Sequence, residues 1–321
     1  MTKYVVTGGA GFIGSQLVRS LLARNDGEVH VIDNLLTGNE SNLAEVRDRA
    51  TFHYADIRRP AEIEPAIRDA SVVFHLAAIP SVPRSIEDPA PSHDVNINGT
   101  FNVLQACSEA GVRRVVYAAS SSAYGDTEIL PKIETMAPSP KSPYAVQKLL
   151  GEYYCRVFDS CFGLETVALR FFNVYGPRQD PSSPYSGVLS QFMRALLERR
   201  PPTIFGDGSQ SRDFTYVEDV AALCIKAAEA PGVSGRVFNA GNGNRYTLNH
   251  IWDVLQQLEN ISLPPNYGPP RTGDVHDSQA ETTAAKTLLG HAPSFTLEDG
   301  LRRTLEWYRR QFLQGSLARR A

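Results

Sequence analysis

The chain opens on Lys3-Tyr4-Val5-Val6-Thr7-Gly8-Gly9-Ala10-Gly11-Phe12-Ile13-Gly14, and this stretch decides the fold. Its first half is an apolar, β-branched run of strand length. After the glycines, apolar side chains recur every four residues at Ile13, Leu17 and Leu21, which is the spacing of one helix face. The opening therefore predicts a strand, a tight turn and a helix, in that order.

The turn carries Gly9, Gly11 and Gly14 in the spacing G-x-G-x-x-G. Glycine at these places allows close approach of the backbone to a pyrophosphate, and free amides at the helix N-terminus face the phosphates. The next predicted strand, 28–32, is followed by Asp33, nineteen residues after Gly14. A carboxylate there accepts hydrogen bonds from an adenosine ribose and repels a 2′-phosphate, so the sequence favours NAD over NADP.

Length and composition narrow the class of protein. With 321 residues the chain is long enough for two lobes, and its net charge of −3 gives no indication of a nucleic-acid groove. No apolar run reaches the roughly 18 residues that span a bilayer, and the first residues already form a core strand instead of a signal peptide. We therefore expect a cytoplasmic protein that binds neither nucleic acid nor membrane.

The cysteines and histidines predict no metal site. Cys107, Cys155, Cys161 and Cys224 stand singly, without the C-x-x-C spacing of zinc or redox sites. We expect them to be small buried apolar residues in a reducing compartment. The seven histidines do not cluster with acidic residues either.

The ends of the predicted parallel strands should line the cofactor crevice, because loops at the carboxyl ends of such strands meet there. The loop 34–38 follows Asp33 and is placed to close over the adenine ribose. The strand predicted at 51–54 leads to Asp56 and Ile57, which we expect to flank the adenine. Asp56 equally suits the N-cap of the next helix.

The following strand, at 72–76, continues this pattern with Ala77 and Ala78, whose small side chains let a dinucleotide lie against the backbone. We expect His75, within the apolar run, to be a hydrogen-bonded core histidine and not a catalytic one. Asn96 lies on a helix predicted over 92–110. It points either to the cofactor or to a hydrogen bond between helices, and the sequence leaves both open.

The chemistry of the chain centres on a serine run and a tyrosine–lysine pair. Three serines, 120–122, end the strand predicted at 114–119, and Pro143 starts a helix on which Tyr144 and Lys148 stand one turn apart. Free tyrosine titrates near 10, and we expect the neighbouring ammonium and a cationic nicotinamide to lower the pKa of Tyr144. The phenolate can then take a proton from a sugar hydroxyl while hydride leaves, and a serine hydroxyl hydrogen-bonds the developing carbonyl oxygen.

These motifs resemble those of the extended short-chain dehydrogenases/reductases, in their nucleotide-sugar branch, and most closely the UDP-hexose 4-epimerases of the UDP-glucose/UDP-N-acetylglucosamine type. The resemblance covers nearly the whole chain. Its motifs lie at 7–14, 33–35, 56–58, 75–78, 96–100, 120–125, 144–148, 170–177 and 212–214. Aligned on Tyr124 and Gly125, the family's catalytic serine or threonine falls on Ser120, and Ser121 and Ser122 become its substrate-side neighbours.

The resemblance implies a Rossmann-type doubly wound parallel sheet with a smaller mixed α/β substrate lobe. It implies that NAD contacts Gly8, Gly11, Phe12, Ile13, Gly14, Asp33, Asn34, Leu35, Thr37, Gly38, Asp56, Ile57, Leu76, Ala77, Ala78, Asn96, Ser120, Tyr144, Lys148 and Phe172. It implies that a UDP-hexose contacts Ser81, Ser121, Ser122, Tyr144, Asn173, Val188, Thr203, Phe205, Arg212, Arg271, Asp274 and Ser278.

Two discontinuous lobes follow from the same comparison of motifs. The NAD-binding lobe comprises 1–176 plus about 214–246, and the substrate lobe comprises about 177–213 plus 247–321. Homodimers are usual in this family, and helices 92–110 and 144–162 are the expected contributors to the interface.

The implied reaction is inversion at C4 of a UDP-hexose through a 4-keto intermediate, with bound NAD restored in each cycle. Arg212 and Arg271 hold the diphosphate, since paired guanidinium groups bond its oxygens bidentately. The 4-keto sugar meanwhile rotates about its diphosphate bonds. Ser278 matches the position that gates the hexose pocket, and its small side chain leaves space for an N-acetyl group. We therefore expect interconversion of UDP-glucose with UDP-galactose and of UDP-GlcNAc with UDP-GalNAc.

Three alternatives stay open at this stage. A decarboxylase or 4,6-dehydratase on the same scaffold needs an acidic residue where this chain has Ser122. A UDP-glucuronate 4-epimerase needs a partner for the carboxylate, and Ser81, Arg84 or Ser121 could supply it. A non-catalytic NAD-binding protein has no need of the serine, tyrosine and lysine together.

Overall fold

A computed structural model describes residues 2–180, 187–270 and 275–315 of the chain. Its strands are β1 (Thr2–Thr7), β2 (Gly27–Asp33), β3 (Thr51–Tyr54), β4 (Val72–His75), β5 (Arg114–Ser120), β6 (Glu165–Phe171), β7 (Val174–Tyr175), β8 (Thr203–Phe205), β9 (Ser211–Arg212), β10 (Thr215–Tyr216), β11 (Arg236–Ala240), β12 (Tyr246–Thr247) and β13 (Asn266–Gly268). Its α-helices are α1 (Phe12–Arg24), α2 (Pro60–Ile67), α3 (Val82–Glu87), α4 (Pro89–His93), α5 (Thr100–Glu109), α6 (Pro143–Phe162), α7 (Val188–Leu197), α8 (Val217–Glu229), α9 (Leu248–Glu259), α10 (Thr283–Leu288) and α11 (Leu297–Leu313).

Seven parallel strands form the central sheet in the order β11-β6-β5-β4-β1-β2-β3. The chain first winds outward from β1 to β3 and then returns to build the other side from β4 onward. Between β1 and β4 the winding direction changes, and doubly wound sheets bind their ligands outside the carboxyl ends of the strands at this point. The predicted Rossmann-type sheet is confirmed.

The glycine turn after β1 is as tight as the sequence indicates. Gly8 has φ +71°, and an added Cβ there would lie 2.7 Å from the backbone nitrogen of Ala77. At Gly14 an added Cβ would overlap the carbonyl oxygen of Gly8. The turn is therefore packed backbone to backbone, and only glycine fits its first and last positions.

The predicted helix 92–110 is one element in the sequence and three in the structure. α4 ends at His93, a π-helical turn spans Asp94–Gly99, and α5 begins at Thr100. Gly99 allows the close contact in this turn, because an added Cβ would lie 2.6 Å from Cδ1 of Ile57. The hydroxyl of Thr100 donates to the carbonyl of Asn96 at 2.7 Å. Single π turns inside helices are frequent at functional sites.

Apolar side chains pack on both faces of the central sheet and in a separate third cluster. One sheet face carries α1 and α8, and the opposite face carries α2, α5 and α6. The third cluster lies among α7, α9 and α11 and is centred on fully buried residues such as Trp252 and Tyr308. This cluster is the core of a second, smaller unit that faces the carboxyl edge of the sheet through β7 to β10.

One helix packs on a different unit from the one that the lobe prediction gives it. Ala285 of α10 and Leu289 belong to the apolar cluster of the central sheet, next to β11, although the sequence placed 247–321 in the substrate lobe. The lobe boundaries themselves stay a prediction. Among the helices of the described ranges, none combines the length and apolar character needed to cross a bilayer.

The glycine turn yields a first test. Gly14→Ala should destabilise the protein by about 1–3 kcal/mol, because the added methyl group overpacks a site bounded by rigid backbone. The free energy of unfolding is measured by chemical denaturation, with Ser20→Ala on the same helix as the matched control. Equal unfolding free energies for the two variants would contradict the account of the turn.

Candidate active site

A cleft of about 860 Å³ runs along the carboxyl ends of the central strands. Most of the predicted ligand residues lie on its wall: Gly8, Gly11, Phe12, Ile13, Gly14, Asp33, Asn34, Thr37, Asp56, Ile57, Leu76, Ala77, Ala78, Ser81, Ser120, Ser121, Ser122, Tyr144, Lys148, Phe172, Asn173, Arg212 and Ser278. Residues from distant parts of the chain, such as Gly8 and Ser278, thus meet in one cavity. The cleft is large enough to be shared by two ligands, end to end.

The nucleotide end of the cleft fits a dinucleotide. An added Cβ at Gly11 would meet only the carbonyl oxygen of Gly8, at 3.1 Å, so the space above the turn opens into the cleft as a pyrophosphate requires. Asp33 is held by two backbone amides, from Ala10 at 2.9 Å and Leu35 at 2.8 Å. Burial raises the pKa of Asp33, and these two hydrogen bonds act in the opposite direction.

Two predicted cofactor residues shape this end without lining it. Leu35 donates its amide to Asp33 and has φ +58°, and Gly38 lies so close to Asp33 that an added Cβ would be 2.9 Å from the carboxylate. Both therefore set the position of the carboxylate that is expected to bind the ribose. Direct contact of Leu35 and Gly38 with the cofactor stays a prediction.

Asp56 serves its own loop as well as facing the cleft. Arg58 donates to it from its backbone at 2.9 Å and from its guanidinium at 2.6 Å, and Asn34 donates at 2.9 Å. The hydrogen bonds from Arg58 lower the pKa of Asp56 to about 2. The carboxylate is thus ionised and bound to the turn that leads into α2, next to the position predicted for the adenine.

The hydrogen bonds of Asn96 fit the second of the two interpretations, a hydrogen bond between helices. Its side-chain oxygen accepts from the amide of Ile79 at 2.8 Å, and its NH₂ group donates to the carbonyl of Ile79 and to Gln147 on α6. Gln147 in turn donates to Ser92 at 2.9 Å. Asn96 therefore fixes the loop after β4 to α6, and a contact with the cofactor stays a prediction.

Tyr144 and Ser120 meet at the middle of the cleft. The hydroxyl of Ser142 caps α6 by accepting from the amide of Ala145 at 3.2 Å, which starts the helix at the edge of the sheet. Tyr144, in the first turn, lines the cleft beside Ser120 at the end of β5, and the serine side chain lowers the pKa of the phenol. Ser122 donates to the Ser120 hydroxyl at 2.8 Å and so fixes its orientation. Phenol and serine hydroxyl therefore form a preorganised pair.

The pKa values of the pair differ from the expectation. Burial raises the pKa of Tyr144 to about 12, and the hydrogen bond with Ser120 offsets only part of that effect. Burial also lowers the pKa of Lys148 to about 8. For the chain alone the pKa of Tyr144 is therefore raised, because desolvation of the buried phenol is the largest effect on it. The lowering expected from Lys148 together with a cationic nicotinamide stays a prediction.

His75 is a core residue, as predicted, and its tautomer follows from its neighbours. Thr100 gives its proton to Asn96, so its oxygen accepts from Nε2 of His75 at 2.9 Å. Thr7 accepts from the amide of Ala77 and donates to Nδ1 of His75 at 2.7 Å. Burial lowers the pKa of His75 to about 3, so the ring is neutral at physiological pH.

A second recess, of about 620 Å³, adjoins the substrate end of the cleft. Its wall includes the predicted Phe205 on β8, Tyr267 on β13, and Arg212, which lines the cleft as well. The guanidinium of Arg212 donates to the carbonyls of Ser211 and His276. Arg212 is thus anchored at the junction of the two cavities, where a diphosphate would join a nucleoside to a sugar.

Two predicted substrate residues, Val188 and Thr203, lie away from the walls of these cavities. Val188 starts α7 and packs at the rim of the third apolar cluster, and Thr203 is exposed on β8, one residue before a buried isoleucine. Neither is among the residues that line the two cavities. Arg271 and Asp274 lie outside the described residues. The roles of these four stay predictions.

Ser278 lies at the sugar end of the cleft and touches Asn173. The side-chain NH₂ of Asn173 donates to the Ser278 hydroxyl at 3.2 Å and to the carbonyl of Asp213 at 3.1 Å. Asp213 is buried and accepts from three backbone amides, those of 242, 243 and 280, which ties this corner together. Ser278 is therefore held in place next to Asn173, where it can limit the size of the sugar.

Sequence reasoning missed several residues on the cleft wall. Lys132, Lys141, Gln179 and Val275 all line it. The first two lie in the long segment between the serine run and α6, which has no strand or helix pattern that would place it. Among the described residues no group of three or more metal-ligating side chains is present.

Comparison with known proteins identifies the family. A family model described as "NAD dependent epimerase/dehydratase family" matches residues 4–241. The chain is 39% identical to the UDP-glucose 4-epimerase of Mycolicibacterium smegmatis over 316 residues, covering 96% of this chain and 98% of that protein.

Solved structures agree with this match. The UDP-N-acetylglucosamine 4-epimerase of Methanobrevibacter ruminantium, in complex with UDP-N-acetylmuramic acid, has a TM-score of 0.92 and 36% identity, over 97% of this chain and 99% of that one. The UDP-glucuronic acid 4-epimerase of Bacillus cereus, in complex with UDP-glucuronic acid and NAD, has a TM-score of 0.90 and 34% identity, over 96% and 99%. The chain described here belongs to the NAD dependent epimerase/dehydratase family.

Proposed function

We propose that this protein is an NAD-dependent 4-epimerase of UDP-hexoses. The observation that carries the proposal is the pair Tyr144–Ser120 on the cleft wall, which lies between the glycine turn at one end of the cleft and the Arg212 junction at the other. The three relatives described above bear the names of 4-epimerases acting on UDP-sugars, which supports the same reaction class.

The residues of the chain divide the chemistry among themselves. When bound, NAD supplies a hydride acceptor and a positive charge beside the phenol. As a phenolate, the form that the positive charges of Lys148 and of bound NAD would favour, Tyr144 takes the proton of the sugar 4-hydroxyl at its Oη atom and later returns it, acting as base and then as acid. Ser120 donates a hydrogen bond to the oxygen that becomes a carbonyl, and Lys148 holds a positive charge one turn below the phenol.

Inversion also requires that the sugar present its other face to a fixed cofactor. Arg212 serves this requirement because it is anchored by two backbone carbonyls and lies where the cavities join. A guanidinium there grips the diphosphate while the keto sugar rotates about the phosphate bonds. The expected second clamp, Arg271, completes this arrangement in the proposal.

Two UDP-hexose pairs are the proposed substrates, UDP-glucose/UDP-galactose and UDP-GlcNAc/UDP-GalNAc. The small side chain of Ser278, held by Asn173, leaves room at the sugar end for an N-acetyl group. UDP-glucuronate is the second candidate, since Arg84 lines the same cleft and offers a charge for a carboxylate. Decarboxylation is disfavoured, because Ser122 gives its hydroxyl proton to Ser120 and supplies no acid.

A homodimer through α5 and α6 is part of the proposal. The outer surfaces of these helices carry apolar side chains that are partly exposed: Phe101, Val146, Tyr153, Val157 and Phe162. Several large apolar side chains exposed on one pair of helices are typical of a protein interface. A second copy presenting the same side chains would bury them in a four-helix contact.

Removal of the phenolic hydroxyl tests the chemistry. Tyr144→Phe should lower kcat by about 10²- to 10⁴-fold, because the acid/base group is lost while the ring still fills its place. Turnover is followed by NMR of the sugar ring protons with no cofactor added. Tyr153→Phe, on the exposed face of the same helix, is the control and should retain full activity; an equally active Tyr144→Phe would exclude the proposed reaction.

The sugar pocket gives a separate prediction. Ser278→Tyr should lower turnover of UDP-GlcNAc by roughly 100-fold relative to UDP-glucose, because the ring occupies the space left for the N-acetyl group. Separate incubations with UDP-glucose, UDP-GlcNAc and UDP-glucuronate measure this, with Ser160→Tyr at an exposed position in the last turn of α6 as the control. Exclusive turnover of UDP-glucuronate by the wild type would favour the second candidate instead.

A further inference from the structure

We propose that Tyr117 is a positioning residue for Lys148: the face of its ring holds the ammonium, and its hydroxyl holds the helical turn that carries it. This inference deepens the proposed function and rests on it for its catalytic meaning. Tyr117 lies in the middle of β5, fully buried, and belongs to no motif that the sequence singles out.

Two contacts join Tyr117 to Lys148. The ammonium nitrogen of Lys148 lies over the Tyr117 ring, 4.7 Å from its centroid. The phenolic hydroxyl donates to the backbone carbonyl of Lys148 at 3.3 Å. One side chain thus contacts the lysine at both ends, and a cation over an aromatic face is attracted to the ring quadrupole, the more strongly when water is excluded.

The neighbours of Tyr117 leave it little freedom to move away. On one side its ring packs against His75, with centroids 5.7 Å apart. On the other, Gly151 lets α6 approach so closely that an added Cβ would overlap the phenolic hydroxyl. The ring is therefore fixed between β4 and α6, which makes it a rigid support for the lysine.

The other groups that face Lys148 do not fix its ammonium in this way. His75 on β4 is neutral, and Cys155 on α6 is a buried thiol whose pKa burial raises far above its usual value. Glu152, one turn further along α6, is already bound by Arg170 of β6 through two hydrogen bonds of 2.9 and 2.8 Å. Tyr144, one turn earlier, lies beside Ser120, and burial raises its pKa to about 12, so the phenol is uncharged at neutral pH.

The consequence concerns the charge that Lys148 carries. Burial lowers its pKa to about 8, close to physiological pH, so any further loss of stabilisation would leave much of the lysine neutral. The Tyr117 ring opposes that loss. With it, the ammonium stays charged and directed toward the cleft at the foot of Tyr144.

A substitution series at Tyr117 tests this inference, with the pKa of Lys148 as the readout. The pKa is measured by NMR titration of protein labelled with [ε-¹³C]lysine, and the signal is assigned by its absence in Lys148→Met. Tyr117→Phe keeps the ring and should leave the pKa unchanged. Tyr117→Leu should lower it by about one unit, the size expected for loss of a desolvated cation–π contact.

Ring electronics provide a version of the test that preserves shape. Fluorinated phenylalanines at 117, up to the pentafluoro form, weaken the negative ring face without opening a cavity, so they remain informative even if Tyr117→Leu fails to fold. We expect the pKa of Lys148 to fall stepwise with fluorination, and the basic limb of the pH–kcat profile to move down with it. Tyr154→Leu, which removes an aromatic ring elsewhere on α6, should change neither.

The possible outcomes distinguish the role of Tyr117 from the proposed function. An unchanged pKa across the fluorinated series, or equal values for Tyr117→Phe and Tyr117→Leu, would overturn the role of the ring. The NMR readout needs no turnover, so the inference about Lys148 can hold or fail whether or not the protein epimerises UDP-hexoses. A shifted lysine pKa in an enzyme without epimerase activity would refute only the proposed function.

Discussion

Helix α6 must pack closely on β5 and β6, because it brings the phenol of Tyr144 and the ammonium of Lys148 to one point of the cleft. A buried ion pair fixes it there: Glu152 and Arg170 are both about 4% exposed or less, and their two hydrogen bonds are short. The hydroxyl of Thr166 on β6 adds a bond to the carbonyl of Cys155 at 2.8 Å. Loss of one partner from such a buried pair typically costs about 3–5 kcal/mol, so the position of α6 is strongly determined.

The nucleotide end is tied to this helix by a continuous set of hydrogen bonds. Thr7 at the glycine turn bonds His75, which bonds Thr100, which bonds the carbonyl of Asn96. From Asn96 the connection passes to Gln147 on α6. The π-helical turn makes this possible by presenting Asn96 and Thr100 to different partners, so cofactor crevice and catalytic helix form one rigid unit.

Much of the fold, and many of the residues that line the cleft, could be predicted from the sequence, because both depend on local patterns. A β-branched run before closely spaced glycines has few alternatives to a strand and turn, and a serine run at a strand end must face the crevice. The direction in which the pKa of Tyr144 shifts in the folded chain could not be predicted. It depends on how deeply the phenol is buried, and the spacing of residues in the sequence gives no information on burial. The sequence also could not decide between the two interpretations of Asn96, because an amide side chain can hydrogen-bond a cofactor and a loop equally well.

Two lysines of the cleft wall other than Lys148 were missed for a similar reason. Lys132 and Lys141 lie in a segment with no helical or strand period, and its path is set by contacts with distant parts of the chain, such as the bridge between Lys132 and Ala280. Tyr117 shows the reverse case. It reads as an ordinary core residue of a strand, and only its three-dimensional neighbours distinguish it from the valines beside it.

The position of β11 at the edge of the sheet affects how the protein is made. During synthesis every catalytic side chain has left the ribosome well before Arg236–Ala240, yet β6 has no outer partner until that strand arrives. The bond between the Tyr124 hydroxyl and Asn239, at 2.6 Å, must wait as well. A nascent chain halted before β11 would therefore leave β6 as an unpaired edge strand, which can pair with other chains. Completion of the sheet falls to a strand that carries none of the catalytic residues.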